Sequence, residues 1–312
     1  MSVAPNVSVI MPAYGAADTI EASVISVQGQ TLDDWELIIV DDGSPDDTAD
    51  VAKQLAANDS RVRLVRQSNA GPSAARNTGL RYARAKVIAF LDADDLWAEQ
   101  RLSGMLQAFA EQPKAGVLFS RTRFVDEETL ALGTLTSHVR QLSAADLMAE
   151  NAVCSSSNIV CRREVLDQIG PFRPGLNFAE DQDWLLRVAL DGEWEIRGVD
   201  AEWFFYRSSA SSQSADLEAM RRGWWSMVDR ARECFPEETE ATLRDAIGPI
   251  HRQLARRALR LGRSLDAVRY LRMAVMADPF LIARQPKRTL LTAAGLLVSF
   301  IPHPKLKELV VK

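Results

Sequence analysis

Histidine and cysteine are scarce in this 312-residue chain, with three of each. Cys154, Cys161 and Cys234 show neither metal-ligand spacing nor an even disulfide framework, so a reduced, cytoplasmic compartment is expected. His138, His251 and His303 stand outside any motif and are given no site role. Long apolar runs are missing too. Val7–Met11 is only strand-length and follows no cationic region, so it is not read as a secretory leader. Leu290–Ile301 is too short to span a bilayer and reads as a packed helix or an interfacial anchor. No G-x-G-x-x-G follows the first strand, which excludes a dinucleotide oxidoreductase. Positive charge is lacking in the front part: residues 1–210 carry 19 Lys+Arg against 31 Asp+Glu, residues 211–312 carry 18 against 11, and the whole chain is −5. An acidic front suits a metal-dependent site and not bare nucleic-acid binding. The basic tail fits an anionic surface or partner, or simply solvated helix faces. What remains, 47% hydrophobic and 25% charged residues, is an ordinary globular chain of one large domain or two.

Strand and helix signals alternate through the first part. Val7–Met11, Glu36–Val40, Val62–Gln67 and Val87–Leu91 read as strands, with helices over Asp18–Gln28, Thr48–Ala57 and Ser73–Ala83 between them. The alternation predicts an α/β fold with a Rossmann-like, mostly parallel sheet and helices on both faces. Ligands of such sheets bind at the carboxyl ends of the strands. Here each end is small or polar: Pro12-Ala13-Tyr14, Asp41-Asp42-Gly43-Ser44, Ser68-Asn69-Ala70-Gly71 and Asp92-Ala93-Asp94-Asp95. Four such ends on one edge describe a nucleotide site.

From Gly116 to about Ser209 the pattern is mixed, with strands expected at Gly116–Arg121, Ser157–Cys161 and Trp203–Tyr206 and helices at Arg162–Ile169 and Asp181–Leu190. The Ser-rich stretch Ser208–Ser214 marks a boundary. The expected domains are 1–210, with halves at about 1–115 and 116–210, and a helical region over 211–312. Ala267, Ala274 and Pro279 fall at tetratricopeptide-like offsets, which a plain helix pair explains equally.

The run Val87-Ile-Ala-Phe-Leu-Asp92-Ala93-Asp94-Asp95 carries the most chemistry. Crowded carboxylates are costly without a compensating cation or donor. A divalent ion carrying a diphosphate, Mg²⁺ or Mn²⁺, suits such oxygen ligands. The competing reading is a helix begun at Leu96 and capped by Asp94 or Asp95. Tyr14 offers an aromatic wall for a base, and Arg76 a rigid fork for base or phosphate. Ordinary packing and a surface ion pair are their alternatives. Asp42 can accept a base N–H, or with Asp41 cap the following helix.

Val7-Ser-Val-Ile-Met-Pro-Ala-Tyr14, Val40-Asp-Asp-Gly-Ser44, Asn69-Ala-Gly-Pro-Ser-Ala-Ala-Arg-Asn77, Asp92-Ala-Asp-Asp95 and Glu180-Asp-Gln-Asp-Trp184 together resemble the family 2 glycosyltransferases of GT-A fold, over roughly residues 5–210. The resemblance implies an inverting transfer from a nucleotide-diphospho-sugar, UDP-linked by expectation, to a hydroxyl of a saccharide or lipid-linked acceptor, with Mn²⁺ or Mg²⁺. It implies a nucleotide-sugar site of Pro12, Ala13, Tyr14, Asp42, Asn69, Gly71, Arg76, Asp92, Ala93 and Asp94. Asp42 would take the base N–H, Asp92 the ribose hydroxyls and Asp94 the metal. A carboxylate must then accept the proton of the acceptor hydroxyl. The resemblance puts that base at Asp181, with Glu180 and Trp184 on the acceptor side. By position alone Glu180, Asp181 and Asp183 could equally complement a helix dipole, and Trp184 could belong to the core.

Two departures stand out. Ser209 occupies the position where many relatives have a histidine two residues past the arginine of Phe204-Phe-Tyr-Arg207, and Ala179 stands where they often have glycine. The basic tail and the Leu290–Ile301 run are expected to bring the protein to the inner membrane face. A sugar nucleotidyltransferase would need a basic, Gly-rich loop after the first strand, and Pro12-Ala-Tyr-Gly-Ala-Ala17 has no basic residue. A degenerate nucleotide-sugar-binding module without turnover would rest on Ser209 alone.

Overall fold

The apolar runs at the front of the chain pair in parallel. In the computed structural model, which describes residues 4–126, 132–136, 140–176, 179–208 and 216–301, β1 (Val7–Ala13), β2 (Trp35–Asp41), β3 (Val62–Arg66) and β4 (Val87–Phe90) lie in the order β3-β2-β1-β4. Helices α1 (Ile20–Gln28), α2 (Thr48–Asn58) and α3 (Pro72–Tyr82) connect them. β2 is buried along its whole length, as in a parallel sheet covered on both faces. Val9, Met11, Leu37, Ile39 and Ala89 join the main core with α1, α2 and α4 (Arg101–Glu111). Ile38 and Val40, of the opposite parity, pack on Ala75 of α3. That helix lies so close that a Cβ on Gly79 would overlap Ile10.

The sheet then turns mixed. β6 (Ala115–Asp126) and β10 (Glu195–Ser208) are parallel to each other. β9 (Val160–Arg162) runs antiparallel to β4 and β6, and β5 (Leu96–Trp97) antiparallel to β10. β7 (Leu132–Leu135) pairs with β6 and β8 (Gln141–Leu142) with β10. The long pairings are all parallel, and the antiparallel ones are short. The strand expected over Ser157–Cys161 divides instead into a 3-10 turn (Ser156–Asn158) and β9. Its cause is Asn158, buried, which accepts from Ser120 N at 3.0 Å and donates to the carbonyls of Ser120 and Val153 at 2.8 and 3.1 Å. Those bonds replace ladder bonds that a strand would make there. α6 (Arg163–Ile169) and α7 (Glu180–Asp191) fall where helices were expected.

The chain divides into two units. The first comprises residues 1–142, 153–175 and 183–210, and the second 143–152, 176–182 and 211–312. This differs from a single cut at residue 210. α5 (Ala144–Ala149) packs on α9 (Pro236–Arg260) and carries its flanks with it. The second unit also contains α8 (Leu217–Cys234), α10 (Ser264–Ala277), α11 (Leu281–Arg284) and α12 (Pro286–Ser299). Its core sets Leu254, Ala255, Ala258 and Leu259 against Ala267 and Tyr270. Ala267 and Ala274 are the small buried residues of α10, consistent with one helix pair. Ser209, His138 and His303 lie outside the described residues, as does most of the Ser-rich boundary.

Candidate active site

The first two strand ends are tied together. Asp42 N donates to the carbonyl of Ala13 at 2.9 Å, just before Tyr14 leaves the sheet with its residue surface 56% exposed. Pro12 and Ala13 lie within β1 itself. Gly15 turns the chain at φ +62°, and Ala16 N then donates to Thr48 Oγ1 at 2.8 Å. Asp41, fully buried, accepts from Ser44 N and Arg66 Nε, both at 3.1 Å. It braces a turn and does not cap α2, whose own N-cap, Asp47, makes no side-chain cap bond.

Asp42 reaches across to the loop after β3. Its Oδ1 accepts from Gln67 Nε2 at 2.7 Å and Ala70 N at 2.9 Å, and its Oδ2 from Gly71 N at 2.8 Å. A carboxylate has about four acceptor positions, so roughly one remains for an outside N–H. The same approach explains Gly43, at φ +71°, where a Cβ would stand 2.9 Å from Asn69 N. Asn69 is exposed, and Gly71, at φ +86°, leads into α3.

At the end of β4 three carboxylates meet three environments. Asp92 accepts from Arg76 Nη2 at 2.7 Å, a guanidinium only 3% exposed that lies 5.6 Å from the Phe172 ring centroid. Ser156 Oγ donates to Asp92 Oδ2 at 3.0 Å and Ser155 Oγ at 3.3 Å, while Asp92 N donates to Ser157 Oγ at 3.0 Å. Burial alone would raise the Asp92 pKa, but Arg76 and the serine hydroxyls outweigh it and hold the carboxyl below its usual range. Ala93 is buried and Asp94 is exposed. Asp95 is buried and accepts from Arg207 N at 3.1 Å; burial and then the charges of Asp94 and Asp92 push its pKa well up. No helix starts here for an Asp94 or Asp95 cap to serve, because Leu96–Trp97 forms β5 and α4 begins only at Arg101.

Oxygen donors of this kind fit a hard divalent ion. Among the described residues no three His, Cys, Asp or Glu side chains converge as ligands.

Arg76, expected to meet base or phosphate, is thus committed to Asp92. Asp181, near the start of α7, belongs to the second unit. Its Oδ2 accepts from Asn151 Nδ2 and its Oδ1 from Gln182 N, both at 2.8 Å, and the residue is 8% exposed. Ala179, two residues earlier, sits at φ +69°. Glu180 is half-buried. Trp184 is a correction: it is fully buried, donates Nε1–H to the Gly170 carbonyl at 3.0 Å and stacks on Phe172 at 5.6 Å. A ring without exposed surface offers nothing to an acceptor, so it belongs to the core of the first unit. Asp183 is buried against Arg187 Nε at 3.2 Å.

The sequence reading missed Ser155, Ser156, Asn151 and the partnership of Arg207 with Asp95. Only the run Cys154-Ser-Ser-Ser157 gave any signal, and its length resembles the start of a strand. Beside Asp181, within the second unit, lies a cavity of about 90 Å³ lined by Asn151, Gln182, Trp224, His251, Gln253 and Arg257 among others. The buried Oε1 of Gln253 has no hydrogen-bond partner among the described residues.

The profile of Glycosyl transferase family 2 matches residues 8–170, and the chain belongs to that family. It is a glycosyltransferase, and its sheet and helices are those of the GT-A fold. The chain is 31% identical over 224 residues to the Escherichia coli UDP-Glc:alpha-D-GlcNAc-diphosphoundecaprenol beta-1,3-glucosyltransferase WfgD, covering 70% of this chain and 83% of that one. It is 29% identical over 253 residues to the putative teichuronic acid biosynthesis glycosyltransferase TuaG of Bacillus subtilis, covering 80% and 98%. Among solved structures, the mannosyltransferase PcManGT from Pyrobaculum calidifontis, in complex with GDP-Man and Mn²⁺, superposes with a TM-score of 0.63 at 19% identity, covering 99% of this chain and 85% of that one. S. aureus TarS 1-349 in complex with UDP-GlcNAc gives 0.57 at 18%, covering 90% and 92%. The chain spans 55% of the longer TarS chain.

Proposed function

We propose that this glycosyltransferase moves a sugar, with inversion, from a UDP-linked donor to a hydroxyl of a saccharide or lipid-linked saccharide. The observation that carries the reading is the convergence at the strand ends: an exposed Tyr14, an Asp42 with an acceptor position left, an anchored Asp92 and an exposed Asp94. The exposed ring of Tyr14 lies against the base, and Asp42 accepts a base N–H. Asp92 meets the ribose hydroxyls, and Arg76 acts through it by fixing its orientation. Asp94 is the protein ligand of Mn²⁺ or Mg²⁺, which when bound neutralises the diphosphate of the leaving nucleotide.

Asp181 is the base. It accepts the proton of the acceptor hydroxyl while that oxygen attacks the anomeric carbon opposite the nucleotide. Asn151 and the Gln182 amide hold its two oxygens. The neighbouring cavity, with its apolar Trp224 side and the open Oε1 of Gln253, receives the acceptor sugar. The activity of WfgD and the ligands of TarS and PcManGT support the UDP, lipid-linked and Mn²⁺ parts of this reading. Peripheral membrane contact through the helical unit belongs to it as well.

Asp181→Asn keeps the size of the side chain and removes its basicity. Transfer from UDP-sugar should fall about 10²–10⁴-fold, with UDP-induced thermal stabilisation intact and a β-linked product from an α-linked donor in the wild type. Activity within a few fold of wild type would remove Asp181 from this role.

A further inference from the structure

Large apolar side chains are exposed in one place above all. Among the described residues 15 are exposed, and 12 of these lie between Leu261 and Ile301, in the second unit. α12 turns two threonines inward and most of its leucines outward, with Leu296 packed against the core of the unit. Thr289 and Thr292 are buried, each satisfied by donating to the carbonyl four residues earlier at 2.9 Å, while Leu290, Leu291 and Leu297 are exposed. Leu290, Ala294 and Leu297 recur at helical spacing on the outer side, with Phe300 and Ile301 exposed just beyond. A surface helix ordinarily turns its apolar stripe inward.

α10, which packs against α12, repeats the arrangement. Ala267, Tyr270 and Ala274 face inward, and Leu265, Val268 and Met276 face outward with Arg269 and Arg272 among them. Phe280 and Ile282 are exposed in the connection. Residues 261–301 hold six Lys+Arg against two Asp+Glu. Arg272 and Lys287 are exposed and make no ion pair with any described residue. No described helix is long and apolar enough to cross a membrane.

We propose that α10, the Phe280–Ile282 connection and α12 form a face that lies on an anionic lipid bilayer, with the leucines and Phe280 in the headgroup–acyl boundary and Arg272 and Lys287 on lipid phosphates. Exposed apolar area of this extent marks an interaction site, and the combination with unpaired cations is that of an interfacial helix. A second copy fits less well. A two-fold contact sets the same patch against itself, and here that brings Arg and Lys together. The proposal specifies the membrane contact of the functional reading above, and its test is independent of turnover.

The test is flotation of the full chain with vesicles of equal parts phosphatidylglycerol and phosphatidylcholine, and with phosphatidylcholine alone. The wild type should float with the anionic vesicles and be released by salt. Leu290→Ser/Leu297→Ser and Arg272→Glu/Lys287→Glu should each reduce that partition by at least about tenfold, with Tm and UDP-induced stabilisation unchanged. Partition equal in wild type and variants, or none by the wild type, overturns the proposal. So does a wild-type dimer that Leu290→Ser/Leu297→Ser converts to monomer, which would make the face a contact between copies. Vesicle binding without sugar transfer would leave this proposal standing and remove the catalytic one.

Discussion

Asp92, Asp94 and Asp95 occupy four consecutive positions with Ala93, yet one is ion-paired, one exposed and one buried among like charges. What distinguishes them is supplied from far along the chain: Arg76, Ser155, Ser156 and the Arg207 amide. Residue types at the site were therefore legible in the sequence, and their partners were not. Bonds between segments separated by 16 to 112 positions leave no periodic mark. Trp184 was misplaced for the same reason, since only its contacts with Phe172 and Gly170 show that it faces inward. Away from the site, Asp59 provides a residue-scale test. Bonding from Arg61, above all, lowers its pKa from 3.8 to about 2 against the opposing effect of burial. A carboxyl depressed on folding contributes stability that is complete above its unfolded pKa and lost as pH falls through the folded one. Asp59→Asn should therefore flatten the loss of stability between about pH 4 and pH 2, by at most about 2 kcal/mol. Acid-unfolding curves of both proteins measure it, and identical acid limbs would contradict it.

Among the elements, the first four strands and their helices lie within two residues of where apolar spacing put them. β6 and β10 were underestimated, running to 12 and 14 residues. Their outer parts carry Arg121, Arg123, Asp200 and Glu202, which pair across the two strands at 2.5–2.6 Å. Charges that neutralise each other across a ladder conceal strand periodicity in a single sequence. The entry to α7 is also informative. Ala179, at φ +69°, holds a left-handed conformation that costs a Cβ-bearing residue about 1–2 kcal/mol. Part of that is offset by glycine's greater freedom in the unfolded chain. Ala179→Gly should consequently raise stability by up to about 1 kcal/mol, read from denaturant midpoints at constant m, with transfer retained. A destabilised variant would mean that the alanine methyl makes compensating contacts.

For the whole molecule, the sequence placed a boundary near residue 210 but not the two excursions, 143–152 and 176–182, that join the helical unit. Helix packing of α5 on α9 decides this, and contacts across some 90 positions cannot be read from local composition. The consequence is functional. Asp181 and Asn151 belong with the helical unit and its cavity, while Asp42, Asp92 and Asp94 belong with the sheet. The nucleotide site can thus be tested without the acceptor. Thermal unfolding of the wild type and of Asp94→Asn, each with UDP or GDP and with or without Mn²⁺, does so most directly. A nucleotide at about 100 times its Kd adds about 2.7 kcal/mol of stability. A rise in Tm with UDP that requires Mn²⁺ and is missing in Asp94→Asn is the expected result. Equal rises in both proteins, or no rise with either nucleotide, would contradict a metal-assisted nucleotide-sugar site at these strand ends.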